Sequence, residues 1–138
     1  MDITESTAFK LHRATVLLDR VADSYLQREH GIRYAPFLVL LMARVLGPTS
    51  QQAIAENLDV TRASISQRVN ALVADGLLET AASDGRTHRV TLTERGAELF
   101  DAAWAGLEAH QTGLERGIDE AALNAQLDRI IANGKELL

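Results

Sequence analysis

The pattern of apolar positions predicts two helices in the first third of the chain. Between Ser6 and about Gln27 there is no glycine or proline, and apolar residues recur every three or four positions: Leu11, Ala14, Leu18, Val21, Ala22 and Tyr25. This spacing is typical of an amphipathic helix, which Gly31 ends. Pro36 lies near the first turn of a second helix, where its missing N–H costs little. That helix runs to about Val45 and is almost entirely apolar, so we expect it to be central.

Two short helices follow the Gly47-Pro48 stop. Thr49 is the predicted N-cap of the third helix, because Gln52 stands three residues later at the spacing of a capping box. Thr61 is the predicted N-cap of a fourth helix that runs from residue 62 to about residue 74. Apolar residues of this fourth helix lie at i, i+4 and i+7, and they are Ile65, Val69 and Leu72. This spacing predicts one buried stripe and an opposite face that is exposed.

The spacing of apolar residues then changes from the period of a helix to a period of two residues, which is typical of a β-strand. Alternating apolar and polar residues lie on both sides of Asp84-Gly85, which predicts a β-hairpin because glycine tolerates the positive φ of a tight turn. Thr93 is the predicted N-cap of a long fifth helix from Glu94 to about Glu115. A sixth helix begins near Asp119, and its apolar residues are Leu123, Leu127, Ile130, Ile131 and Leu137.

Two short helices followed by a hairpin are the element order of a winged helix-turn-helix. The predicted fold is therefore mainly α with a small β-wing: a winged helix-turn-helix flanked by N- and C-terminal helices. A length of 138 residues fits one domain. In such a fold the second helix of the pair enters the major groove of DNA.

The bulk composition is that of a soluble globular protein, with 46% hydrophobic and 24% charged residues. The absence of cysteine excludes disulfides, a thiolate nucleophile and thiolate metal sites. The N-terminus does not read as a signal peptide, and no apolar run approaches the ~20 residues of a membrane span. We expect a cytoplasmic protein with no membrane partner.

Charge is distributed unevenly along the chain. The formal net charge is −5, and residues 93–138 alone carry four basic and nine acidic side chains. Residues 60–74, in contrast, contain two arginines and no acid. Gln67 is suited to read an adenine edge, and Arg68 to reach guanine or a phosphate. The outer face of the fourth helix consists of small or polar residues, with Arg68 and Asn70 flanking it: Ala63, Ser64, Gln67, Ala71 and Ala74. The alternative is an ordinary amphipathic surface helix.

The hairpin segment, SDGRTHRV at residues 83–90, concentrates basic residues at one turn. Arg86 at the tip is placed to enter a minor groove beside a major-groove helix. Asp84 is suited to hold that arginine by a charge-assisted hydrogen bond. His88 and Arg89 follow along the strand, near the DNA backbone. The alternative is a solvated turn whose charges serve solubility.

The stretch from residue 49 to 96 resembles the core of the MarR family of winged-helix regulators. Its most specific part is Asp84-Gly85-Arg86-Thr87, which is similar to the family's Asp-x-Arg-Ser/Thr wing motif. Gly76-Leu77-Leu78 and Leu92-Thr93-Glu94-Arg95-Gly96 match as well. The resemblance implies a homodimer on a pseudo-palindromic operator, usually a repressor. It also implies a DNA-binding core at about 33–96, with dimerisation helices at about 5–30 and 97–138.

By position in these motifs, Arg86 is the expected minor-groove arginine and Asp84 its support. Gln67 stands where family members often carry arginine, which leaves the operator sequence open. Together with the residues argued from helix position, the candidate DNA contacts are Thr61, Arg62, Ala63, Ser64, Gln67, Arg68, Asp84, Arg86, His88 and Arg89.

The terminal helices are expected to join two subunits. The apolar stripe of the sixth helix, Leu123 to Ile131, is more than one short helix buries alone. Two winged helices held about one DNA turn apart, ~34 Å, read two half-sites. The alternative is packing of this stripe against the first helix of the same chain.

A small anionic aromatic effector is a further partner that the resemblance implies. All six aromatic residues lie in the elements that would enclose such a pocket, at 9, 25, 34, 37, 100 and 104. The candidate ligand contacts are His12, Arg13, Tyr34, Phe37, Arg44, Phe100 and Trp104. The alternative is that the aromatic rings fill the core and the interface.

Metal binding and catalysis find little support in the sequence. No pair among the histidines at 12, 30, 88 and 110 has the i, i+3 or i+4 spacing of a helical metal site, although separate helices can converge. There is no phosphate-binding glycine loop and no nucleophile motif. We expect no cofactor, no metal and no enzyme activity. A winged-helix module that binds proteins instead of DNA is the competing function.

Overall fold

The computed structural model of the chain describes the backbone of residues 1–83 and 87–138, and the side chains of all of these except residues 83, 87 and 88. Within this range the helices are α1 (Thr7–His30), α2 (Tyr34–Leu46), α3 (Gln51–Leu58), α4 (Arg62–Ala74), α5 (Glu94–Gln111) and α6 (Glu120–Glu136). Strand β1 (Leu78–Ser83) pairs antiparallel with β2 (Thr87–Leu92), with Leu78 opposite Leu92. The predicted class, mainly α with a small β-wing, is confirmed.

Helix α2 lies at the centre of the fold, as its composition predicts. Phe37, Val39 and Leu40 are completely buried, and α2 contacts α1, α3, α4, α5 and β2. Its first turn is held from outside the helix, since the carboxylate of Asp23 on α1 accepts the Tyr34 N–H at 2.9 Å. The same carboxylate pairs with Arg33 at 2.9 Å. The two interactions lower the pKa of Asp23, the Tyr34 hydrogen bond most of all.

The start of α3 differs from the prediction. Ser50 is the N-cap, and its hydroxyl accepts the Ala53 N–H at 3.0 Å. Thr49 instead pairs with Val90 of β2: its N–H donates to the Val90 carbonyl at 3.1 Å, and its carbonyl accepts the Val90 N–H at 2.6 Å. Thr49 was therefore wrong as a cap, because a strand 41 positions along the chain uses its backbone groups.

One helix end agrees with the sequence expectation and one differs from it. Helix α1 continues to His30 and ends at Gly31, whose φ of +68° is the left-handed conformation that glycine adopts easily. Helix α5 ends at Gln111, four residues before the predicted Glu115.

The terminal helices form an arm that is joined to the core unequally. Helix α1 packs along α5, whereas no residue of α6 is buried by the described part of the chain. The exposed fractions of Leu123 and Ile131 are 46% and 55%. The alternative, in which α1 of the same chain buries the apolar stripe of α6, is therefore wrong for the described chain. No helix of the described chain is both long and apolar enough to cross a membrane.

Candidate nucleic-acid interface

Helix α4 is fixed to the core by one side and capped at its beginning. The Thr61 hydroxyl accepts the Ser64 N–H at 3.1 Å, which confirms the predicted N-cap. Ile65 and Val69 have no exposed surface and Leu72 only 2%. The helix packs with these residues against α2, α3 and β1. The helix is thus held by its predicted stripe, and its bounds are those predicted.

The opposite side of α4 faces solvent. Arg62, Ala63, Gln67 and Asn70 are exposed, and Ser64 is half-buried. No acidic residue lies between 60 and 74. The N-terminal turn carries the positive end of the helix dipole, which favours an anion such as a phosphate. The side chains one turn from Gln67 on this side, at positions 63, 64 and 71, are short.

Arg68 flanks this outer face. It is half-buried and points into a cleft of about 780 Å³ between α4, the α1–α2 loop and the start of α5. Gln67, Arg33 and Arg95 also line this cleft, and Asp75 is the one carboxylate among its described lining residues. A smaller cleft of about 530 Å³, toward α1, shares Arg33 and Arg68 with it. We call the larger space the basic cleft.

The hairpin is tied to the α2–α3 loop at its base. Arg89 is exposed, and its Nη1 donates to the Pro48 carbonyl at 3.0 Å. This bond lies next to the pairing of Thr49 with Val90, so both hold β2 beside the start of α3. The predicted contacts Asp84 and Arg86, with the turn glycine between them, lie outside the described residues, as does the His88 side chain.

Four of the predicted effector residues form one row of aromatic rings. The rings of Tyr34, Phe37, Phe100 and Trp104 stack in series, with centroid distances of 6.5, 5.4 and 6.1 Å. Phe37 and Phe100 are buried in the core, while Tyr34 lines the smaller cleft. Burial raises the pKa of Tyr34, and the nearby Asp19 adds to the shift.

The three predicted basic contacts of the effector are Arg44 on α2 and His12 and Arg13 on α1. Arg44 pairs with Asp101 at 3.3 Å. His12 and Arg13 are exposed on α1 and line none of the clefts of the described chain named above. The sequence reading missed Arg33 and Arg95 as cleft residues. They come from segments 62 positions apart, and no spacing in the sequence indicates that they meet.

The arrangement defines a winged helix-turn-helix protein, and comparisons with known proteins agree. A family model described as MarR family matches residues 30–87. An uncharacterized HTH-type transcriptional regulator of Bacillus anthracis is 30% identical over 94 residues, which are 68% of this chain and 63% of that protein. The chain thus matches less than two thirds of the length of the curated relatives. Residues 30–87 thus match the MarR family, and the curated relatives of the chain are named HTH-type transcriptional regulators.

Solved structures share the whole architecture. A MarR-family regulator from Rhodococcus sp. RHA1 superposes with a TM-score of 0.84 at 22% identity, over 94% of this chain and 93% of the other. A mutant of MarR from E. coli, complexed with operator DNA, gives 0.82 at 23% identity over 94% and 99%. CouR from Rhodococcus jostii RHA1, bound to p-coumaroyl-CoA, gives 0.82 at 23% identity over 92% and 90%. These likenesses establish the fold.

Proposed function

We propose that this protein is a sequence-specific DNA-binding transcriptional regulator that inserts α4 into the major groove. The observation that carries this proposal is the division of α4 into two sides. Ile65, Val69 and Leu72 anchor it fully, while the exposed side from Thr61 to Asn70 has no acid. A helix held this rigidly presents its side chains at fixed positions, which base recognition requires.

The individual roles follow from position. Thr61, Arg62, Ala63 and Ser64 occupy the first turn, where helix N–H groups and an arginine contact phosphate and base edges. Gln67 lies one turn further and reads adenine. The hairpin residues Asp84, Arg86, His88 and Arg89 follow the path of the adjacent minor groove, with Arg86 inside it. From the basic cleft, Arg68 adds to the positive electrostatic potential that attracts DNA.

We propose further that the protein acts as a homodimer on a pseudo-palindromic operator, as a repressor. The apolar stripe of α6 and the exposed Val16, Leu17 and Leu18 of α1 support this. Apolar patches of this kind on the two terminal arms mark an interface between chains. The acidic excess of residues 93–138 would then lie away from the DNA.

Regulation by a small effector is the third part of the proposal. The basic cleft has the volume of a small-molecule site. Arg33 is paired with Asp23, but Arg68 and Arg95 form no ion pair within the described chain and favour an anion. The wall of the cleft includes Gln67 and Arg68 of the helix that would bind DNA. The complex of CouR with p-coumaroyl-CoA shows that one protein of this fold takes an organic anion. Measurement decides whether the effector raises or lowers the affinity for DNA.

Fluorescence anisotropy with the DNA flanking the protein's own gene tests the core of this proposal. We expect specific binding that weakens steeply with salt, because each phosphate contact releases a counterion. Arg62→Ala removes one phosphate contact from each of two subunits and should reduce the salt slope by about 1.8, and Gln67→Ala should alter base preference by about 1–3 kcal/mol. Arg116→Ala, an exposed arginine between α5 and α6, is the matched control and should bind as wild type. Binding that ignores sequence and salt would favour the protein-interaction module instead.

A further inference from the structure

Three consecutive backbone carbonyls at the end of α4 are bound by the first turn of α5. The Asp75 carbonyl accepts from Arg95 Nη1 at 2.9 Å, and the Gly76 carbonyl accepts from the Thr93 hydroxyl at 2.7 Å. The Leu77 carbonyl accepts from the Thr93 N–H at 3.1 Å. We call these interactions the α4–α5 clamp.

The clamp has no free space at its centre. Gly96 is buried, and a Cβ there would overlap the Leu77 carbonyl. The Thr93 hydroxyl that donates to Gly76 also accepts the Gly96 N–H at 3.0 Å, so one side chain joins the two segments. The chain reverses at Gly76 with φ +77°, and Arg95 lies against that glycine. Rotation of α4 against α5 would therefore break several contacts together.

The clamp also closes the base of the hairpin. Leu78 and Leu92 face each other directly beside it, and the bonds of Thr93 and Arg95 span 17 and 20 positions. Helix α4 and the hairpin are thus both attached to the first turn of α5. Since α5 also packs along α1, the clamp connects both DNA-facing elements to the arm that carries the exposed apolar residues.

We propose that Thr93, Arg95 and Gly96 are positioning residues that set the orientation of α4 against the dimer arm, and thereby the half-site spacing that the protein accepts. This inference rests on the proposed DNA binding and dimerisation. A rigid joint in each subunit fixes the distance between two recognition helices, whereas a loose joint lets each helix follow its half-site at other spacings. The clamp residues need not touch DNA.

The first test measures affinity for palindromic duplexes whose half-sites are moved apart or together by one base pair. We expect wild type to prefer one spacing by about tenfold. Thr93→Val removes the hydroxyl at nearly constant shape and should reduce that preference about threefold, the effect of one neutral hydrogen bond. Arg95→Gln should act in the same direction. Thr93→Ser keeps the hydroxyl and should restore the wild-type preference.

The salt slope separates positioning from lost contact, because a residue that only orients α4 leaves the number of phosphate contacts unchanged. Arg116→Gln carries the same charge change as Arg95→Gln and is the control. A spacing preference that Thr93→Val and Arg95→Gln retain in full would overturn the inference while leaving DNA binding intact.

A second test does not depend on DNA. The chain has no cysteine, so Asn70→Cys on α4 and Ala105→Cys on α5, both exposed, accept spin labels selectively. Electron–electron distance measurements on labelled protein diluted with unlabelled protein report the width of the α4–α5 distance distribution. We expect broadening in Thr93→Val and Arg95→Gln, and none in Thr93→Ser or Arg116→Gln. Unchanged widths would refute the positioning role of Thr93 and Arg95. Broadening without any DNA binding would refute the proposed function and the control of half-site spacing, but not the control of the α4 orientation.

Discussion

Helices α4 and α6 have similar sequence patterns and opposite surroundings. Each begins with a side-chain cap, from Thr61 and Asp119, and each carries apolar residues at spacings of three and four. The stripe of α4 is fully buried by α2, α3 and β1, while α6 has no buried residue within the described chain. Amphipathicity thus predicts that a face needs a partner, but not whether the partner belongs to the same chain.

The largest contrast is expected from removing matched isoleucine side chains. Ile65→Ala in α4 should lower the free energy of unfolding by about 2–5 kcal/mol, because it leaves a cavity in a packed core. Ile130→Ala in α6, where the side chain is 41% exposed, should leave the fold of one chain nearly unchanged. Urea unfolding over a range of protein concentrations separates the stability of one chain from that of its association.

The same pair of variants tests what covers α6. If a second copy does, Ile130→Ala should weaken self-association in sedimentation equilibrium, while Ile65→Ala acts on folding. Wild-type protein that sediments as a monomer at micromolar concentration would contradict the proposed homodimer.

Two helical glycines give the next contrast. Gly106 in α5 lies under the Tyr25 hydroxyl of α1, where a Cβ would overlap Oη. Gly106→Ala should destabilise by about 1 kcal/mol net, since overpacking exceeds the gain in helix propensity. Nothing lies within 4 Å of the Cβ position at Gly134 in α6, so Gly134→Ala should stabilise by roughly 0.5–1 kcal/mol. Thermal unfolding compares the two.

Tyr25→Phe provides the decisive partner for this measurement, because it removes the hydroxyl alone. In a double-mutant cycle, Gly106→Ala should cost less in the Tyr25→Phe background than in wild type. Equal cost in both backgrounds would mean that the contact between α1 and α5 does not depend on this hydroxyl.

How far the sequence predicts the structure depends on whether the decisive interaction is local. The bounds of α4 follow from its own cap and stripe, so they were predicted correctly. The cap of α3 was misassigned by one residue because Val90, a distant residue, takes the backbone of Thr49. Arg68 lies near the edge of the exposed arc, where a small rotation turns it into the basic cleft. The clamp residues lie in motifs that are visible in the sequence. Only the fold, however, brings Thr93 and Arg95 within hydrogen-bond distance of carbonyls 17 and 20 positions away.

The smallest expected effect concerns the caps of α2 and α6, one distant and one local. Asp23 accepts the Tyr34 N–H from another helix, and the hydrogen bonds and Arg33 lower its pKa below the ordinary value of 3.8. A lowered folded-state pKa adds stability above the unfolded-state pKa, and this stability is lost as pH falls through the folded-state value. Asp23→Asn should therefore lower the melting temperature at pH 7 by a few degrees at most.

The difference between Asp23→Asn and wild type should shrink as pH falls from about 3.8, where the unfolded chain binds a proton, through the lower folded-state pKa of Asp23, where the native carboxylate is protonated too. Asp119→Asn is the local counterpart: asparagine caps a helix about as well as aspartate, so the α6 cap should survive at every pH. The difference in melting temperature between Asp23→Asn and wild type could instead stay constant from pH 7 to pH 3. That result would show that the substitution destabilises the protein by a poorer fit of the amide and not by loss of the charge. The link between α1 and α2 would then depend on packing alone, and the contrast between distant and local caps would lose its electrostatic basis.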